Sequence, residues 1–119
     1  AFSHAFLAHL TQLDYARAMA FVALDEAGEV AGVVRLHADI AHEEAEYAIL
    51  LRSDMKGLGL GWSLMTLIID WARAEGLKVI RSQAENTRML ALCRQLGFDI
   101  ANDPDDTAIR VVTLQVEPV

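Results

Sequence analysis

Two apolar, β-branched runs, Met19 to Leu24 and Val30 to His37, flank the turn sequence "DEAGE". That pattern predicts a β-hairpin. "DIAHEE" then reads as a polar loop, and "AEYAILLRS" as a third strand. Past Gly61 the period changes: Leu64, Leu67, Ile68 and Trp71 recur at helical spacing, which predicts a helix over Trp62 to Ala74 stopped at Gly76. "LKVIRSQ" reads as a short strand, and "ENTRMLALCRQLGF" as a helix with Met89, Leu92, Cys93 and Leu96 inward and Gly97 at its end. "NDPDDT" is a turn-rich acidic loop and "AIRVVTLQV" a last strand. Ahead of the hairpin, "SHAFLAHL" predicts a short helix capped by Ser3, with Thr11 to Asp14 a further helical turn or a connection. Strands interleaved with helices imply an α/β (α+β) domain, a mixed sheet covered by helices.

The chain has 119 residues, which suits one domain, and 54% of them are apolar. No apolar run approaches the roughly 20 residues that a membrane helix needs. Cys93 is the only cysteine, so no internal disulfide forms and a cytoplasmic setting is expected. The formal net charge of −7 argues against broad nucleic-acid binding and permits a cationic partner. His4, His9, His37 and His42 make no metal-ligand spacing, so no metal is expected. "NDPDDT" lacks the glycine and the terminal glutamate of an EF-hand loop.

The chemistry-bearing stretch is "RSDMKGLGLGWSLM". A Walker A loop would need Lys-Ser or Lys-Thr after its last glycine, and a dinucleotide fingerprint would need a third glycine where Trp62 or Leu64 stands. Neither fits. What remains is a strand, then Lys56-Gly57-Leu58-Gly59-Leu60-Gly61, then a helix. Glycines allow close backbone approach, and a helix start offers unpaired N–H groups and a positive dipole end, so a diphosphate suits the stretch. Tight packing of a glycine-rich turn against the sheet explains the spacing equally well.

"KGLGLG" resembles the acyl-CoA pyrophosphate loop of the GNAT acetyltransferase superfamily, with Lys56 where glutamine or arginine is usual. "ENTRMLALCRQLGF" resembles its second signature, from Asn86 to Gly97-Phe98. Together with "HADIAHEEAEYAILLRSDMKGLGLG", these segments look like the acetyltransferase domain of bacterial Pat-type protein lysine acetyltransferases. The resemblance implies a GNAT fold, a mixed and mostly antiparallel sheet flanked by helices, here lacking the usual first strand. It also implies a domain excised from a longer protein, with a fused synthetase-like or regulatory domain. "VIRSQAEN" is shorter than the family's usual connection, and Cys93 stands where a tyrosine often protonates the leaving thiolate.

For function the resemblance implies transfer of acetyl from acetyl-CoA to a protein lysine, with an AMP-forming acyl-CoA synthetase as partner. A free lysine has a pKa of about 10.4, so a base is needed at neutral pH. Glu46 alone reads as a solvated strand-end carboxylate; the resemblance makes it the general base, with Glu43 and Glu44 as fallbacks. The backbone of Ile49, Leu50 and Leu51 is expected to meet the pantetheine arm like an added strand and to supply an oxyanion donor. Lys56, Gly57, Leu58, Gly59, Leu60, Gly61 and Trp62 are expected to hold the pyrophosphate. Asn86 is expected to cap its helix or touch the pantetheine amides, and Arg88 to reach a phosphate. Cys93 joins this cofactor set through its place in the second signature, although a small apolar role in the core is the simpler reading. Two other readings remain: acetylation of a small amine, and a non-catalytic acyl-CoA-sensing module.

Overall fold

The computed structural model describes residues 8–12, 18–55, 59–84, 87–106 and 108–116. The strands are β1 (Ala8–Gln12), β2 (Ala18–Leu24), β3 (Val30–Ala38), β4 (Glu44–Leu51), β5 (Val79–Ala84), β6 (Asp99–Asn102) and β7 (Arg110–Gln115). Two helices are described, α1 (Leu60–Ala74) and α2 (Thr87–Leu96), with one 3-10 turn at Ser53–Met55. The strands form one sheet in the order β1-β2-β3-β4-β5-β7-β6. β4 and β5 run parallel and every other neighbouring pair is antiparallel.

The hairpin forms as its sequence predicts. The Asp25 carboxylate accepts from the backbone N–H groups of Ala27 (2.9 Å) and Glu29 (3.0 Å), fixing the turn between β2 and β3. Val34, Leu36 and Ala38 of β3 are buried, whereas Arg35 and His37 are exposed, so β3 turns one face to the core and the other to solvent, although Ala18 and Ala20 beside it on β2 are buried. Helix α1 covers the core face with Leu60, Leu64, Met65, Ile68 and Ala72, all buried. It ends with the N–H groups of Gly76 and Leu77 donating to the carbonyls of Arg73 and Ala72. Helix α2 lies against the same face: Cys93 is fully buried, and Phe98 meets the ring of Tyr47 edge-on at 6.0 Å.

Three elements differ from the sequence expectation. Residues 8–10 are not helical; Ala8–Gln12 is a strand paired antiparallel with β2, so an edge strand does precede the hairpin. Pairing with β2 overrides a local spacing that looked helical. Ser3, Phe6 and Leu7 lie outside the described residues. The second difference is β6, four residues at the sheet edge that carry too little pattern to predict. Third, α1 begins at Leu60, two residues earlier than expected, inside the glycine stretch. The acidic loop is a turn as expected, with carboxylates of Asp103 and Asp106 accepting from the N–H groups of Asp105 and Ala108. Among the described residues no helix is long and apolar enough to cross a membrane.

Candidate active site

The parallel ladder between β4 and β5 holds three residue pairs, Glu44 with Val79, Ala45 with Ile80 and Glu46 with Arg81. Beyond Glu46 the strands part. β4 runs on to Leu51 and β5 to Ala84 without further pairing between them. At the fork the Ser82 hydroxyl donates to the Tyr47 carbonyl at 2.7 Å in place of a ladder bond. The edge of Ala48 to Leu51 that faces β5 therefore has no strand partner among the described residues, and its backbone donors and acceptors are open to an extended ligand.

On the core face this slot meets a groove of about 800 Å³ between the start of α1 and the side of α2. Leu51, Gly59, Gly61 and Trp62 form one wall; Arg88, Met89, Leu92 and Gln95 contribute to the other. Gly59 caps α1 at φ 86°, the left-handed region where a β-carbon is strained, and no side chain caps the helix. Its first N–H groups are thus left for a ligand, and no acidic residue stands in the first turn. A β-carbon on Gly61 would come within 3.2 Å of Leu92 Cδ2 and 3.4 Å of Leu51 Cδ1, so glycine keeps the two walls close here. These features fit a phosphate-bearing, chain-like molecule: anion-seeking N–H groups at one end, an unpaired strand edge at the other.

Several predicted residues come together at this place. Glu46 is exposed on the last paired rung, at the mouth of the slot and on the open face of the sheet. Ile49 and Leu51 are half-buried on the core side of the slot, and Leu50 is 75% exposed on the open side. Gly59, Gly61 and Trp62 line the groove, whereas the Leu60 side chain is buried in the core, leaving only its main chain for a ligand. Lys56, Gly57, Leu58 and Asn86 lie outside the described residues.

Cys93 is not on the groove wall. Its thiol is fully buried and hydrogen-bonded to the Tyr47 hydroxyl at 3.3 Å. Burial pushes the Cys93 thiol up in pKa, against a smaller lowering by Tyr47. Burial likewise pushes the Tyr47 phenol well above its ordinary value. Both groups stay protonated at neutral pH.

Sequence reasoning missed the clamp at the base of the glycine stretch. Arg52 follows β4 directly; its Nε donates to Asp54 Oδ1 at 2.6 Å and its Nη1 to Asp25 Oδ2 at 2.8 Å. The guanidinium beside them holds both carboxyls below the usual range. It joins the β2–β3 turn to the 3-10 turn that leads toward Gly59. Charged residues far apart in sequence gave no signal for this contact.

The acetyltransferase (GNAT) family model matches residues 2–98. The chain belongs to the GNAT acetyltransferase family. Among curated proteins it is 41% identical over 110 residues to Acetyltransferase PA5475 of Pseudomonas aeruginosa, covering 88% of this chain and 59% of that protein. It is 38% identical over 87 residues to the L-methionine sulfoximine/L-methionine sulfone acetyltransferase of the same organism, covering 67% of this chain and 50% of that protein. The chain thus spans between half and three-fifths of the length of these relatives. Two solved structures share the fold. The GNAT domain of S. lividans PAT matches with a TM-score of 0.78 at 21% identity, over 88% of this chain and 64% of that one. The yncA acetyltransferase of Salmonella typhimurium, solved with acetyl-CoA, matches with a TM-score of 0.74 at 23% identity, over 86% and 66%. The GNAT fold expected from the two signatures is thus the fold observed.

Proposed function

We infer that this chain transfers acetyl from acetyl-CoA to the primary amine of a small molecule, with Glu46 as the base. The carrying observation is the fork: Glu46 occupies the last rung of the β4–β5 ladder, where the unpaired edge of residues 48–51 begins, and that edge leads to Leu51 on the wall of the groove at the α1 start. The groove suits acetyl-CoA, with the diphosphate at the uncapped α1 start and the pantetheine arm along residues 48–51. The 38% identical relative named for acetylating amino-acid analogues supports a small acceptor.

In this reading Glu46 takes a proton from the acceptor ammonium, directly or through water. The freed lone pair attacks the thioester carbonyl, and a main-chain N–H of the Ile49–Leu51 edge stabilises the oxyanion. The C–S bond breaks, and the departing thiolate takes a proton from water or from the attacking amine.

A second reading is transfer to a protein lysine, with an acyl-CoA synthetase as substrate and Pat-type enzymes as the model. Glu46 on the exposed face supports a cationic protein acceptor as well, although the nearby Glu43 and Glu44 are paired with Lys78 and Arg81. The deciding test is transfer from labelled acetyl-CoA to L-methionine sulfone and, separately, to a purified acyl-CoA synthetase, each with the native chain and Glu46→Gln. Transfer to the small amine that collapses in the variant supports the first reading. Transfer to the synthetase alone moves the assignment to lysine. Tight acetyl-CoA binding with no transfer to any amine supports a sensing module instead.

A further inference from the structure

We propose that Arg35 selects the acceptor, and that the amine acetylated by this chain carries a carboxylate beside its nitrogen, as a free amino acid does. The proposal rests on the reading of Glu46 as the base and names the acceptor that its surroundings would hold.

On the open face, β3 presents Arg35 and His37, and β4 presents Glu46 and Ala48. The register sets His37 opposite Glu46 and Arg35 opposite Ala48. Arg35 is flanked on its other side by Ala20 of β2. Its row across the sheet therefore contains no carboxylate: Ala48 on one side is exposed and Ala20 on the other is buried. Among the described residues the Arg35 and Glu46 side chains have neither an ion pair nor a hydrogen bond. The next cation along the face, Arg81, is engaged: it reaches Glu44 at 3.3 Å.

Arg35 and Glu46 are diagonal neighbours on adjacent strands, a separation of about 7–8 Å between backbones that long side chains readily close. A sheet tuned for stability alone would pair these opposite charges. Among the described residues neither makes an ion pair or hydrogen bond, although His37 and Arg81 stand opposite Glu46 on the neighbouring strands. A molecule with an ammonium and a carboxylate on neighbouring carbons satisfies both at once. The carboxylate meets the planar fork of Arg35, and the ammonium meets Glu46. A polyamine or a lysine side chain has no anion to offer Arg35, and Arg35 repels a second cationic group brought near Glu46.

The test compares L-methionine sulfone with its carboxamide as acceptors, in the native chain, Arg35→Ala and Arg35→Lys. Arg35 is exposed, so the variants are expected to fold, and circular dichroism with acetyl-CoA binding checks this. The expected result is a preference for the free acid of about tenfold or more in kcat/KM, a difference of about 1.4 kcal/mol. Arg35→Ala removes that preference by raising KM for the acid while leaving the carboxamide unchanged, and Arg35→Lys restores part of it. Equal use of acid and carboxamide by the native chain overturns the proposal, as does an equal loss on both acceptors in Arg35→Ala. Acetylation of a lysine peptide or spermidine with neither methionine derivative used also overturns it, while leaving acetyl transfer by Glu46 standing. Loss of transfer to every acceptor overturns the reading of the enzyme itself.

Discussion

The Tyr47 hydroxyl and the Cys93 thiol lie 3.3 Å apart, bridging β4 and α2 inside the core. Both groups are pushed toward their protonated forms, chiefly by burial. Cys93 is accordingly expected to be inert. A thiol-specific chromogenic reagent at pH 8 should label no thiol in the native chain and one after denaturation. Cys93→Ala should lower stability by about 1–2 kcal/mol through the lost contact and hydrogen bond, with kcat essentially kept. A kcat falling with the thiol would instead make Cys93 the proton donor to the leaving group.

Replacing Glu46 by Gln keeps shape and removes the base. The expected fall in kcat is about 10²–10⁴-fold, with acetyl-CoA affinity unchanged, because Glu46 is on the open face and the groove is on the other. Steady-state kinetics paired with calorimetric binding of acetyl-CoA separates the two quantities.

The glycines at the helix start should fail in different ways. Gly59→Ala strains a residue at φ 86° with open space around it, and should cost about 1–2 kcal/mol in denaturant unfolding. Gly61→Ala puts a methyl between Leu92 and Leu51, narrowing the groove, so KM for acetyl-CoA should rise more than stability falls.

The Arg52 clamp makes a prediction about acid. Asp25 and Asp54 have folded pKa values held below the ordinary one, mainly by the Arg52 hydrogen bonds. A carboxyl depressed in the folded state contributes stability above its unfolded pKa of about 3.9, and that contribution is lost as pH falls through the folded value. Stability measured by urea unfolding should therefore decline below about pH 4, and Asp25→Asn should flatten part of that decline.

What was legible in the sequence is what local periodicity controls. The β2–β3 hairpin and both helices follow from alternation, from leucines at helical spacing and from stop glycines. The helical reading of "SHAFLAHL" failed over residues 8–10 because strand identity there depends on a partner, β2, that no local window contains. The site divides along the same line. Gly59 and Gly61 stand in the first signature and line the groove, whereas Glu46 lies outside both signatures and was singled out by the resemblance and its place at the start of β4. Arg88 on the opposite groove wall was named from the second signature, but the Tyr47–Cys93 bond and the Arg52 clamp to Asp25 join residues distant in sequence. Arg35 looked like any exposed residue of a strand until the register set alanines on both of its sides.

The three-rung ladder between β4 and β5 also divides the sheet into two antiparallel halves, β1 to β4 and β5 to β6, held edge to edge along a short seam. Such a seam is the natural place for native-state opening, and amides of Ala48 to Leu51 should exchange with solvent faster than those of β3. A molecule lying in the fork would extend the seam by the rungs that β5 omits. Occupancy would then be readable across the whole molecule: a ligand at a hundred times its Kd adds about 2.7 kcal/mol to unfolding. A molecule bound in the fork would tighten the very joint that admitted it.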